Sequence, residues 1–342
     1  MLTLEEIRNL ELSKGTPSGP DSFCTIIDVN GLWEGMFSLY SIRLFHDQPI
    51  YVICDKETES MIKHFGFKNV YCKPQVNSES NSKITKGLFN GGSNNYKKEW
   101  HYFHPIELMF RKPDAVDFAL SDNDSTLMVD GDIYYVKPID VKIDSDVALY
   151  PQCANYFLNT NDEWREKMEE KYGVYTGSMV YTSAKDFSDW WRKETIESSV
   201  YYEQECLSRA SDSYNVKHFP STEQIQSYHF QGYGDMTPFL DRPCEDVLDH
   251  TGWKIDNGLH TQHGEITSFH FHLDLGGVAA RGQTIDYSAK ILGRIFLTML
   301  SKSDNDKHQN MIEFYANNIR RHIKPDPVEE RIAVNALSLI HI

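Results

Sequence analysis

The stretch "STLMVDGDIYYVKP", Ser125 to Pro138, decides the fold. A short apolar run ends on Asp130 and Asp132, with Gly131 between them, and a second apolar run follows. Two readings compete. Asp-Gly is a favoured two-residue turn, so "TLMV" and "IYYV" can pair as an antiparallel hairpin with both carboxylates in water. Alternatively, the first run is a buried strand with a ligand site at its carboxyl end, where open α/β sheets bind. Two hard oxygen donors there suit Mg2+ or Mn2+ and, through the ion, phosphate oxygens. Gly131 leaves room for a ligand against the backbone. No basic residue lies close in the sequence, Lys137 being the first after the pair.

The chain upstream favours the strand. "FCTIIDV" (23–29), "PIYVICD" (49–55) and "NVYCKP" (69–74) are short β-branched runs. Between them, "WEGMFSLYSIRLF" has apolar residues at helical spacing, and "KETESMIKHFGF" reads as a helix ending near Gly66. This alternation predicts an α/β fold: a mainly parallel sheet with helices on both faces. The Gly-x-Gly-x-x-Gly fingerprint is absent after the first strand. Residues 75–98 read as a long loop. Lys83, Lys86, Lys97 and Lys98, in or near it, either close over a diphosphate or sit in a solvated basic loop. "PIELMFRKPDAVDFAL" is helical in parts, with an interruption expected at Pro113. "DVALYPQ" and "SMVYTS" are further strands, and Ser183 with Asp186 resembles a capping box opening one long helix or two. "EITSFHFHLDL" reads as a late strand, "YSAKILGRIFLTML" (287–300) as an amphipathic helix, and 301–310 as a polar linker.

Composition narrows the function. The 342 residues are 40% hydrophobic and 13% aromatic, which is globular. The formal charge of −16, without a long Lys/Arg run, argues against a nucleic acid partner. Such a protein needs a local cation to bind a diphosphate, and a divalent metal is the obvious one. No apolar stretch is long enough for a transmembrane segment, although the 287–300 helix could touch a membrane peripherally. Glu5, Glu6 and Glu11 do not resemble a signal peptide, and six cysteines without a C-x-x-C pair read as reduced thiols, so a cytoplasmic location is expected.

A strand ending in Asp-x-Asp after three β/α units resembles the nucleotide-sugar glycosyltransferases of the GT-A (Rossmann-like) fold. "YGVYTGSMVYTSAKDFSDWW" resembles their strand beside the acceptor site, with Thr176-Gly177-Ser178 where Asn-x-Gly often stands. "SVYYEQECL" resembles their later acidic segment, and "SFHFHLD" the strand that often supplies a metal-binding His. The resemblance spans about residues 22–275. It implies an N-terminal extension over 1–21, a catalytic domain over 22–280 and a C-terminal helical extension over 281–342. The catalytic domain divides into a nucleotide-sugar half, 22–140, and an acceptor half, 141–280.

It further implies transfer of a sugar from a UDP- or GDP-sugar to a hydroxyl of a carbohydrate acceptor (glycan, glycolipid or protein sugar), assisted by Mn2+ or Mg2+. Asp132 would hold the metal, and Asp130 the metal or the donor's ribose or sugar. Asp28, Val29, Asn30 and Asp55 would bind the donor with Gly131, though helix capping explains Asp28 and Asp55 equally well. His270 and His272, two apart on an expected strand, share a face. One or both complete the metal shell, or they form a hydrogen-bonded pair lining a groove. Glu203 and Glu205 are candidate bases for an inverting reaction, against a plain solvated helix face; a retaining reaction needs no such base. Gly177 and Ser178 would border the acceptor, and Trp253, among polar turn-forming neighbours, is the first choice for stacking on it. The other aromatics are core residues first.

Two rivals remain. A nucleotidyltransferase that makes nucleotide sugars would want a Gly-rich loop with Arg and Lys after the first strand, where "DVNGLWEGMFS" stands. A non-catalytic carbohydrate-binding protein would neither bind nor hydrolyse donors.

Overall fold

The computed structural model describes residues 10–14, 19–74, 111–151, 174–198, 203–226, 235–273 and 287–323, with 230, 233, 332 and 335. The 75–98 loop with its lysines, and Tyr201 and Tyr202, lie outside the described residues. The chain divides into two compact units interleaved along the sequence. The first is Met1–Val29, Asp47–Asp130 and Ile139–Pro220; the second is Asn30–His46, Gly131–Pro138 and Ser221–Ile342.

The first unit holds a seven-stranded sheet. Its strands are β1 (Phe23–Ile27), β2 (Ile50–Cys54), β3 (Val70–Pro74), β4 (Thr126–Val129), β6 (Val147–Pro151), β7 (Tyr175–Thr182) and β8 (Val216–His218), in the order β3-β2-β1-β4-β7-β6-β8. β1 pairs in parallel with β2 and β4, and β2 with β3. β7 is antiparallel to both β4 and β6, and β6 is parallel to β8, so β7 alone runs against the rest. The mainly parallel α/β sheet is therefore as expected. Every residue of β2, β4, β6 and β7 is buried, which is why these runs read as continuous apolar segments without alternation.

Helix α2 (Lys56–Phe65) is capped by Asp55 and ends on Gly66 at φ 67°, a left-handed turn where glycine avoids a Cβ penalty. Helix α3 (Lys112–Leu120) packs on β1, β2 and β4 and against α4 (Phe187–Ser198). Met128, Val180, Phe187 and Trp191 are buried in this core.

Pro113 stands in the first turn of α3, where it has no N–H bond to lose, and residues 105–110, which precede it in the expected interrupted helix, lie outside the described residues. Three local expectations change. Ser183 is not a cap: its amide donates to the Asp146 carbonyl at 2.9 Å, and the first turn of α4 closes with Trp190 N–H on the Asp186 carbonyl at 3.0 Å. The expected 301–310 linker shrinks to three residues, since Asn305 accepts from the Lys307 amide at 2.9 Å and caps α7 (Asp306–Phe314). The hairpin alternative for Ser125–Pro138 does not form: β4 lies in the large sheet and β5 (Ile133–Tyr135) in another.

In the second unit, β5 pairs antiparallel with β13 (Ser268–His270), which pairs in parallel with β9 (Ile225–Gln226). The late apolar run is thus two short strands, since β12 (Gly264–Glu265) belongs to a separate sheet with β10 (Lys254–Ile255) and β11 (Leu259–Thr261). Helix α1 (Leu32–Phe45) grips β5 through hydroxyls. Ser38 donates to the Ile133 carbonyl at 2.7 Å, and Ser41 accepts from the Tyr135 amide at 3.0 Å. Phe37, Tyr134, Phe269 and Phe296 form an aromatic core, with α6 (Tyr287–Lys302) supplying Phe296. Among the described residues no helix is long and apolar enough to cross a membrane. Cys24, Cys54, Cys72, Cys206 and Cys244 form no disulfide.

Candidate active site

Register builds the first cluster, wholly within the second unit. His270 on β13 stands opposite Ile133 on β5, the residue after Asp132. Beyond the strand the pattern continues, with the Phe271 amide 3.4 Å from the Asp132 carbonyl. His270 and His272 therefore both reach Asp132. His270 Nε2 lies 3.3 Å from Oδ1, and His272 Nδ1 lies 3.3 Å from Oδ2. Burial pushes the Asp132 carboxyl up, but the two imidazoles outweigh it and hold it well below the usual carboxylate range.

Glu34 completes the cluster and was not foreseen. In the first turn of α1, 6% exposed, it accepts from the Leu273 amide at 2.6 Å and lies 3.4 Å from His272 Nδ1. A sequence signal existed: a carboxylate inside the apolar run "LWEGMF" has to be buried, and a buried charge needs a partner. These groups fit a divalent ion. Ligands about 2.1 Å from an octahedral ion stand roughly 3 Å from their neighbours, close to the 3.3 Å separations here. One carboxylate with two imidazoles suits Mn2+ better than Mg2+. Asp132 and His270 are among the described groups that could hold a metal.

The second cluster lies within the first unit and is centred on Lys112, which the sequence did not single out. Its ammonium donates to Asp130 Oδ1 at 2.8 Å, Glu203 Oε1 at 2.8 Å and the Gly177 carbonyl at 3.0 Å. Burial pushes Lys112 down, but Asp130 and Glu203 more than reverse that and raise it above its ordinary value. A lysine at the amino end of a helix opposes the macrodipole, so its place depends on these carboxylates. No basic residue lies close to the motif in the sequence, but Lys112, 18 residues before Asp130, folds onto it.

Glu203 is 2% exposed, and its backbone carbonyl accepts from the Trp191 indole at 2.6 Å. Glu205 opens the 3-10 helix Glu205–Asp212 and is half-buried. A Cβ at Gly177 would come 2.7 Å from Glu203 Oε1, so a side chain there would displace the carboxylate. Ser178 is buried, its hydroxyl 3.1 Å from that of Thr176, and its carbonyl accepts from the Asp130 amide at 3.0 Å.

At the end of β1, Asp28 is half-buried while Val29 and Asn30 are exposed. Asp55 caps α2 through the Thr58 amide at 2.8 Å and accepts from the Val29 amide at 2.6 Å, tying the loop after β1 to the end of β2. Gly131 is half-buried between the two aspartates. Trp253 is 4% exposed and packs with Phe230 and Tyr233, its indole donating to the Tyr233 hydroxyl at 2.9 Å.

No family model and no curated protein matches the chain. Among solved structures it is similar to the glycosyltransferase GlyE of Streptococcus pneumoniae TIGR4, at 11% identity and TM-score 0.41, over 73% of this chain and 53% of that one. It is similar to the WbbM bifunctional glycosyltransferase at 12% identity and TM-score 0.42, over 93% and 53%. It is similar to mouse xyloside xylosyltransferase 1 at 8% identity and TM-score 0.43, over 73% and 96%. The chain thus spans about half the length of GlyE and of WbbM. Likeness at this level carries no argument about activity, which has to stand on the chain's own side chains.

Proposed function

We propose that this protein is a metal-assisted glycosyltransferase that moves a sugar from a nucleoside diphosphate sugar to a hydroxyl of a carbohydrate acceptor. The observation that supports it is the convergence of His270 and His272 on Asp132, directly after the strand whose end carries Asp130-Gly131-Asp132. Asp132, His270 and His272 would hold Mn2+ or Mg2+, with Glu34 Oε2 beside the same His272 nitrogen that faces Asp132. The ion, when bound, neutralises the charge that gathers on the departing diphosphate.

The rest falls to the chain's own groups. In the reaction the bond from the anomeric carbon to the diphosphate oxygen breaks, and the acceptor oxygen bonds to that carbon. The acceptor proton leaves to a base, either a carboxylate or the departing phosphate. Glu203, buried and ion-paired with Lys112, is suited to holding a hydroxyl in place and poorly suited to receiving a proton. Asp130 shares the Lys112 ion pair and serves the donor, while Asp132 serves the metal. Asp28, Val29 and Asn30 offer the exposed turn after β1 to the nucleoside. Asp55 acts on that turn through the Val29 amide.

The test is binding of UDP and GDP with Mn2+ by calorimetry. Wild type binds one of them, chelation by EDTA abolishes binding, and Asp132→Ala loses it while keeping the wild-type circular dichroism spectrum. Nucleotide affinity that persists in both EDTA and Asp132→Ala would refute the metal-assisted reading.

A further inference from the structure

Strand register brings two cysteines together in the first unit. In the parallel pair of β2 and β3, Val52 stands beside Cys72 and Cys54 beside Pro74. Cys54 and Cys72 are thus offset by two residues, an even step that puts both side chains on one face of the sheet. Their thiols are hydrogen-bonded to one another. Cys54 is 1% exposed, whereas Cys72 is half-buried on a strand at the edge of the sheet.

The hydrogen bond makes the two thiols unequal. Cys54 donates to the Cys72 sulfur, which holds Cys72 below the ordinary thiol value against the opposing effect of burial. Lys63 on α2 acts in the same direction, and Glu59, which accepts from Lys63 at 2.5 Å, acts against it. The same hydrogen bond, reinforced by burial, pushes the Cys54 thiol up. The nucleophile in thiol–disulfide exchange is a thiolate. Cys72 offers one near the surface, and Cys54 stands behind it, as an attacking and a resolving cysteine do.

We propose that Cys54 and Cys72 are a redox-active dithiol that closes reversibly to a disulfide by exchange with oxidised glutathione. The Cys72 thiolate attacks one glutathione sulfur, the glutathione disulfide bond breaks, and one glutathione leaves with the proton that Cys72 gave up. Capping Cys72 removes both the acceptor and the negative charge that kept the Cys54 proton in place. Cys54 then loses that proton, its sulfur attacks the Cys72 sulfur, and the second glutathione leaves with the proton. Two protein thiols are oxidised and one disulfide is reduced to two thiols. The bond brings the sulfurs to about 2.05 Å. Among the described residues β3 pairs with β2 alone, so it is the strand free to shift.

The experiment incubates the full chain in glutathione buffers of rising oxidised fraction, then alkylates, digests and maps it by mass spectrometry. A peptide joining Cys54 to Cys72, lighter by two hydrogens than the free pair, should appear and should be lost again on reduction with dithiothreitol. On the reduced protein near neutral pH, iodoacetamide should label Cys72 at least about tenfold faster than Cys244, a half-buried thiol that burial pushes up to about 11. Cys54→Ser should leave Cys72 as a lasting mixed disulfide with glutathione, and Cys72→Ser should leave Cys54 unmodified. Labelling of Cys72 no faster than that of Cys244 overturns the proposal. So does oxidation that joins either cysteine to a third one, or that leaves both free. If Cys54→Ser does not fold, the linked peptide and the labelling rates of wild type decide alone.

Discussion

Replacing Lys112 with Met keeps most of the side chain's apolar length and deletes the ammonium that pairs with Asp130 and Glu203, each at 2.8 Å. The two carboxylates respond differently. Asp130, with 26% of its side chain exposed, can rehydrate, whereas Glu203, at 2%, cannot. Removing one partner of a buried pair costs about 3–5 kcal/mol, because the other charge stays buried without compensation. At about 2–4 °C per kcal/mol for a mid-sized domain, the midpoint should fall on the order of 10 °C.

The pH dependence separates this mechanism from lost packing. Lys112 is raised above its ordinary value of 10.5, so wild type has the full contribution below that pH and loses it only as pH climbs beyond it. In Lys112→Met the Glu203 carboxylate stays buried without that partner. Urea denaturation between about pH 7 and pH 12 at roughly unit steps measures the loss and its pH dependence. Lys112→Met/Glu203→Gln should recover most of the loss, since no buried charge remains. A loss below about 1 kcal/mol, or one that the second substitution does not relieve, would show that Lys112 does not hold Glu203 electrostatically.

Asp55→Ala removes the acceptor for both the Thr58 and Val29 amides. It should cost about 1–2 kcal/mol, the upper range for a lost helix cap, and should speed hydrogen exchange at Val29; unchanged exchange there would mean that the turn after β1 is held by other contacts. Asp132 is depressed below its ordinary value of 3.8, so its contribution is present above that pH and is lost as pH falls toward the folded-state value. Asp132→Asn should therefore be less stable than wild type at pH 6 and should lack that acid-side loss in urea titrations between about pH 2 and 6; superimposable profiles for the two proteins would count against the Asp132–His270–His272 assignment.

Much of this was legible in one dimension because it depends on short-range pattern. Continuous β-branched runs identify the buried strands β1, β2 and β4, and a terminal glycine marks the end of α2. Asp130-Gly131-Asp132 stands out because charge interrupts apolar residues, and alternation along a strand suggests that His270 and His272 act together. Ser183 was misjudged because serine serves more than one local role, and neighbours distant in sequence choose between them.

What tertiary structure alone decided is which carboxylate meets which cation. Lys112 and Glu203 lie far apart in sequence, yet α3 and the turn before the 3-10 helix bring them within 2.8 Å of one another. Glu34 and His272 meet across an even longer separation, at 3.4 Å. Local propensity records the state of a residue's own backbone, set by sterics over a few neighbours. An ion pair depends on separation through space and leaves no trace in chain spacing, so only the folded chain shows that Asp130 pairs with Lys112 and Asp132 with His270 and His272.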